Sequence, residues 1–304
     1  MARESRRHKH LGYIVPRLHL DMGLLTALKN SGARVFEGQR VNELVRENGT
    51  VCGARGPALS WSSRVVIATD GYSSLGTRAS ARPFSRSSQV AVSATAYYRG
   101  VSFPHGTDVS EHFFEEELVR GYAWICPPVD GLANVGVYMR ADAYVESTRK
   151  LPQLLQTFLE RHPDRFASAE RVSAIRRWPL PLAPRSSPVS EPGLLLAGDA
   201  AGLVDPFSGE GIWQALSSGY LAGSITSEAL SCVGLSDGLR ARYARTCNRL
   251  FVGPGRRKLW AQELNEIIMK HQLFRRPTVR TLLRWGWGHS LFDAQQSIPP
   301  VTCA

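Results

Sequence analysis

Long apolar runs, paired cysteines, metal-spaced histidines and lysine are scarce or missing in this chain. No uninterrupted apolar stretch approaches the length of about 18 residues that a membrane-spanning helix needs. The N-terminus is basic, but Arg17 and His19 interrupt any apolar core of a signal peptide. The five cysteines (Cys52, Cys126, Cys232, Cys247, Cys303) are odd in number, scattered and without a C-x-x-C pair. That argues against a disulfide framework or a zinc site and fits a reducing compartment. The eight histidines show no ligand spacing, so no metal is expected. Lysine stands only at 9, 29, 150, 258 and 270, so the net charge of +11 is almost wholly arginine. Coding composition alone can produce such a bias, and with no binding motif behind it nucleic acid is not an expected partner. No internal repeat and no G-x-G-x-x-G spacing occurs in the 304 residues.

What is present is concentrated between Leu194 and Ile212, LLLAGDAAGLVDPFSGEGI. An apolar run ends at Gly198-Asp199, small residues follow, and a turn at Asp205-Pro206 leads to a Gly-flanked acidic residue before a helix. Buried strand, acidic residue at its carboxyl end, Gly-rich turn and helix are the order in which open α/β sheets hold a dinucleotide. Gly198, Ala200, Ala201 and Gly202 let a flat ligand approach the backbone. Asp199 can accept hydrogen bonds from the hydroxyls of a ribityl or ribose chain. The helix is predicted from about Gly209, with an apolar stripe through Ile212, Ala215, Leu216, Gly219, Ala222, Ile225 and Ala229. Its unpaired N–H groups and dipole would favour the negative charge of a reduced flavin.

GDAAGLVDPFSGEGI resembles a flavin-binding motif of the geranylgeranyl reductase family, flavoproteins similar in fold to para-hydroxybenzoate hydroxylase. Three further segments carry the same resemblance in the expected order. Pro16–Ala33 looks like the helix that brings an Arg to the dinucleotide; Val65–Arg78, VVIATDGYSSLGTR, looks like the Asp-Gly motif; and Gly121–Val137 looks like the substrate motif Tyr-x-Trp-x-Phe-Pro followed by Gly-x-Gly. The resemblance implies FAD, held by Arg17, Val41, Asp70, Gly71, Gly198, Asp199, Pro206, Gly209, Gly211 and Ile212. It implies a substrate wall of Tyr122, Trp124, Cys126 and Pro127, with Cys126 in place of the family's Phe and Tyr138 in place of the second Gly. A cysteine in an apolar strand is usually inert, so Cys126 is not read as catalytic. No proton donor is singled out.

The family should also begin with a strand, a G-x-G-x-x-G turn and a helix that seat the pyrophosphate. The expectation is a truncated product, a late start or a second polypeptide that supplies this unit. The fold class expected is α/β: a Rossmann-like FAD domain, N-terminally incomplete, interleaved with an antiparallel-sheet substrate domain and followed by helices. The boundaries expected are 1–80 for the partial FAD domain, 81–190 for the substrate sheet, 191–235 for the return segment and 236–304 for the helical region. Within them the pattern predicts a helix over Leu20–Asn30, a strand at Ala33–Phe36 and a hairpin through Val41–Val51 turning at Asn48-Gly49. Strands follow at Arg64–Ala68, Gln89–Tyr98, Tyr122–Cys126 and Ala133–Tyr138, with a helix at Pro152–Arg161 and a Ser/Arg-rich linker at Ser85–Ser88.

The function implied is hydride transfer from reduced flavin to C=C bonds of a prenyl or other apolar chain, with NADPH or another reductant as electron donor. A monooxygenase or halogenase of the same fold, or a non-catalytic remnant, are the alternatives. The basic C-terminal region interleaves Arg256, Arg257, Lys258, Arg275, Arg276, Arg280 and Arg284 with Leu259, Trp260, Leu264, Ile267, Trp285 and Trp287. It reads equally as a peripheral membrane contact and as a helix covering the substrate domain. The location expected is the cytosol.

Overall fold

Two short apolar runs, Val66–Ala68 (β4) and Leu194–Leu196 (β12), lie side by side as parallel strands, Leu194 opposite Val66 and Leu196 opposite Ala68. The three leucines are at most 2% exposed, as a parallel pair covered on both faces requires. The computed structural model describes residues 13–79, 87–183, 189–232, 234–271, 273–279 and 281. Beside β12 runs the short antiparallel strand Ser190–Glu191 (β11), so the order is β11-β12-β4. The helices Ile212–Ser231 (α6) and Asp237–Cys247 (α7) cover this sheet through Leu221, Ile225 and Tyr243. Thr77 of the short helix Leu75–Ala79 (α2) donates to the Ala200 carbonyl at 2.8 Å.

Asn48 and Gly49 both take positive φ, 50° and 78°, the geometry of a tight hairpin turn. They join Glu43–Glu47 (β1) to Thr50–Arg55 (β2), and Ser60–Ser62 (β3) completes a second three-stranded sheet. The strand predicted at Ala33–Phe36 is absent. No described strand lies alongside to take its backbone hydrogen bonds, and Phe36 instead packs on Trp61, ring centroids 5.9 Å apart. The helix Arg17–Asn30 (α1) buries no residue, and Leu18, Met22, Leu24 and Leu28 remain 47–71% exposed.

The largest sheet is antiparallel and six-stranded. Its main path runs Arg176–Pro181 (β10), Val90–Arg99 (β5), Ala133–Arg140 (β8), Gly121–Ile125 (β7) and Glu111–Phe113 (β6), with Glu170–Arg171 (β9) also paired to β5. Alternation gives it two different faces. One packs Val135, Val137 and Ile125 against Leu154, Leu155 and Phe158 of the helix Leu151–Arg161 (α4), with Ala141–Glu146 (α3) and Pro163–Phe166 (α5) at its margin. The other presents Tyr122 and Tyr138 to Leu182 and Val204. That second face meets the loop between β12 and α6.

The C-terminal helix Gly253–Lys270 (α8) follows α7 through a π-helical turn, Asn248–Val252. Arg140, whose side chain is 4% exposed, ties it to β8: its Nε and Nη2 donate side by side to the two Asp142 oxygens at 2.8 Å, and Nη1 reaches Glu263 at 2.7 Å. The basic N-terminal stretch 1–12, residues 85 and 86 of the Ser/Arg-rich linker, and Arg280, Arg284, Trp285 and Trp287 lie outside the described residues.

α6 corrects one expectation. The helix begins at Ile212 with Gly211 as its cap, not at Gly209, and Ile212 and Leu216 are 42% and 47% exposed. Its first turns bury Gln214, Ser217 and Ser218 instead. The reason is local: Trp213 packs on Phe251, while the side carrying Ser218 meets backbone, the Gly198 N–H donating to Ser218 Oγ at 2.9 Å. The apolar stripe holds only further along, at Leu221, Ala222, Ile225 and Ala229.

Candidate functional site

The parallel register brings two acidic turns to one end of the sheet, since Asp70 and Asp199 follow the paired residues Ala68 and Leu196 by two and three positions. Ligands in open α/β sheets bind at this carboxyl end. The two carboxylates have different surroundings. Asp70 Oδ2 accepts the Leu75 N–H at 2.7 Å and so caps α2, while Gly71 turns the chain at φ +78°. Asp199 sits in the 3₁₀ turn Gly198–Ala201, and its carboxylate accepts no hydrogen bond among the described residues. Gly198 makes the turn possible, at φ +58° and with the Ala215 side chain 3.1 Å from where a Cβ would stand.

Asp199 lies beside the start of α6: a Cβ on Gly211 would stand 3.2 Å from its Oδ1. Burial pushes its carboxyl above the usual range, and the positive charge of Arg17 pulls it back. Arg17 itself is exposed and held by Asp21 through two contacts of 3.1 Å. Val41 lies elsewhere, 39% exposed, in an open groove of about 380 Å³ that it shares with Phe36 and Trp61.

The loop from Asp205 to Gly211 is held from three sides. Asp205, 7% exposed, accepts the N–H groups of Phe207 and Ser208 at 2.9 and 3.0 Å and pairs with Lys258 of α8. The Tyr138 hydroxyl donates to the Pro206 carbonyl at 3.1 Å, and the Tyr122 hydroxyl donates to the Ser208 carbonyl. Burial pushes both phenols well above their ordinary range, so they remain donors at any working pH. Gly209, at φ +69°, lies against the Tyr138 ring. Glu210 is raised by desolvation and by the charge of Asp205, with Lys258 opposing.

Tyr122 and Trp124 lie on one face of β7, ring centroids 6.0 Å apart, as alternation predicts. His112 on β6 and Tyr138 on β8 each stand 5.2 Å from Tyr122, and Phe114 6.2 Å. Trp124 Nε1 donates to Asn134 Oδ1 at 2.8 Å, and its ring covers Gly136, where a Cβ would meet indole carbons at 2.3 Å. Cys126 Sγ is 3.8 Å from Ser110 Oγ, and burial raises its thiol. Pro127 is buried beside it.

Three participants gave little signal in the sequence. Tyr138 stood out only as a departure from a Gly-x-Gly pattern, yet it anchors the loop. Ser218 and Lys258 are 20 and 53 residues distant from their partners Gly198 and Asp205, so no local pattern points to them.

The residues at the strand ends fit a flavin dinucleotide on one observation: Asp199 is a half-buried carboxylate without a hydrogen-bond donor among the described residues, in a glycine turn and at a helix start. A polyol chain supplies the missing donors. Among the described residues no cluster of His, Cys, Asp or Glu could hold a metal, and no helix is long and apolar enough to cross a membrane.

No protein-family model matches the chain. A digeranylgeranylglycerophospholipid reductase of Thermoplasma acidophilum is 27% identical over 246 residues, covering 79% of this chain and 61% of the relative. The reductase of the same name from Methanosphaerula palustris is 30% identical, covering 80% and 60%. This chain thus spans about three-fifths of the length of the curated relatives it matches. Among solved structures, a geranylgeranyl bacteriochlorophyll reductase-like protein of T. acidophilum superposes with a TM-score of 0.72 at 24% identity, over 81% of this chain and 62% of that one. A flavin-dependent brominase follows at 0.68 and 16%, over 92% and 70%. The α/β fold is therefore the one these reductases and halogenases share.

Proposed function

Because this chain belongs to the geranylgeranyl reductase family, we propose that it forms the flavin- and substrate-contacting part of an FAD-dependent reductase acting on C=C bonds of an isoprenoid or similar apolar chain. The observation that carries the reading is the unpartnered Asp199 carboxylate between the Gly198 turn and the α6 start. Bound reduced flavin would supply a hydride to one alkene carbon and a proton would complete the saturation at the other, with NADPH or a like donor as the reductant. Asp199 would accept the ribityl hydroxyls, Arg17 would meet the pyrophosphate, and the groove at Val41 would receive the adenine. The N–H groups of Gly211 and Ile212 and the α6 dipole favour negative charge on the ring. Tyr122 and Trp124 would offer the aromatic face on which the apolar chain lies, and Tyr122 and Tyr138 hold the loop that carries Gly209.

A titration with FAD tests this reading. The purified chain should acquire a flavin absorbance spectrum, and Asp199→Asn should weaken binding about 10- to 100-fold, the loss of one charge-assisted hydrogen bond. A chain that ignores FAD, or an Asn variant that binds equally well, would refute it; a colourless protein would also favour the non-catalytic remnant. The brominase neighbour shares the fold, so the halogenase or monooxygenase alternative also fits it, and product analysis with an alkene separates the readings: a saturated chain against a halogenated or oxygenated one. On α8, Trp260, Leu264 and Ile267 are 78%, 51% and 52% exposed along one face, near exposed Arg256 and Arg257. That face supports a peripheral contact with an anionic membrane.

A further inference from the structure

A second cavity, about 510 Å³, opens on the far side of the Asp205-Pro206 turn, between α6, the π-helical turn and α8. None of the residues assigned above to FAD or to the apolar wall lines it except Pro206. Its floor is apolar, with Trp213, Leu250 and Phe251, and the Trp213 and Phe251 rings pack edge to face at 5.5 Å. Its rim is cationic. Lys258 is neutralised by Asp205, but Arg249 and Arg257, both exposed, make no ion pair and no side-chain hydrogen bond among the described residues. Gln214 also lines the cavity; it is 6% exposed and its Oε1 is buried without a hydrogen-bond partner.

Two free guanidiniums over an apolar floor select a ligand with an anionic head and an apolar body. Guanidinium forks match phosphate oxygens two at a time, and the volume is that of a small-molecule site. We propose that this cavity binds a single-chain amphiphile with a phosphate monoester head, the phosphate on Arg249 and Arg257 and the chain against Trp213, Leu250 and Phe251. Gln214 Oε1 accepts a hydrogen bond from the P–OH of the phosphate monoanion, the form populated below the second ionisation of a monoester near pH 6. The site needs no flavin, so it goes beyond the reductase reading and can fail without it.

Calorimetric titration at low salt tests the site with three probes: decyl phosphate below its micelle concentration, decanol, and inorganic phosphate. Decyl phosphate should bind at least tenfold more tightly than either of the others. The double variant R249Q/R257Q should lose at least tenfold for decyl phosphate, keep its affinity for decanol, and keep its circular dichroism and FAD titration. Equal binding of decyl phosphate and decanol overturns the cationic head site. Equal binding of decyl phosphate and inorganic phosphate overturns the amphiphile and leaves a plain anion site. An unchanged double variant overturns the assignment to these two arginines. Because both side chains are exposed, the variant folds, and Trp213→Ala serves as a second probe that should weaken decyl phosphate but not inorganic phosphate.

Discussion

Gly209→Ala tests the contact by which the sheet shapes the loop. A methyl group there would stand 2.7 and 2.9 Å from two ring carbons of Tyr138. The ring cannot swing away: Tyr138 is 1% exposed, its hydroxyl is bound to the Pro206 carbonyl, and Tyr122 packs beside it at 5.2 Å. Overpacking of this kind costs about 1–3 kcal/mol. The backbone adds its own cost, because φ is +69° at Gly209 and a left-handed L-residue costs about 1–2 kcal/mol. The total expected is about 2–5 kcal/mol, read by urea unfolding followed in the far ultraviolet. The two contributions separate in a double-mutant cycle with Tyr138→Leu. In the leucine background Gly209→Ala should retain only the backbone part, giving a coupling of about 1–3 kcal/mol. Equal costs in the two backgrounds would show that the ring does not constrain Gly209. The loop's displacement should also weaken FAD binding in the single variant.

Two further outcomes follow from the C-terminal helix. Burial alone would raise the Asp142 carboxyl, but the Arg140 hydrogen bonds and charge, aided by Arg120, hold it below the ordinary range. A depressed carboxyl stabilises the fold above its unfolded value near pH 4 and loses that contribution as pH falls through the folded one. Arg140→Met should therefore cost about 1–3 kcal/mol at pH 7, where Asp142 loses two charge-assisted hydrogen bonds but keeps its pair with Arg120, and the gap to the parent should narrow in acid; a gap independent of pH would refute the pairing. On the outer face of α8, Trp260→Ser should reduce sedimentation of the protein with vesicles containing phosphatidylserine, while vesicles of phosphatidylcholine alone bind neither form; equal sedimentation of both forms with the anionic vesicles would refute that contact.

Much of the architecture was legible because it is written in neighbouring residues. The apolar run at Leu194, the small residues after it and the turn at Asp205-Pro206 specify a strand, a close turn and a helix start in sequence, and Asn48-Gly49 specifies a hairpin. Tyr122 and Trp124 share a face because side chains alternate along any strand. Other features depend on residues that meet only when the chain has folded. The Ala33–Phe36 segment has strand composition but no described strand to pair with, and Ile212 and Leu216 keep the helical spacing yet face solvent because the start of α6 turns Trp213 onto Phe251 and Ser218 onto backbone. Tyr138 reads in the sequence as the loss of a glycine. In the fold it is the ring that Gly209 makes room for and the hydroxyl that holds Pro206. The sequence by itself determined the local order of strand, turn and helix, because hydrogen bonding and side-chain size act over a few residues. Only the tertiary structure decided which carboxylate is capped and which left free, which tyrosine reaches which carbonyl, and which arginines stay unpaired, because those depend on distances between residues far apart in the chain.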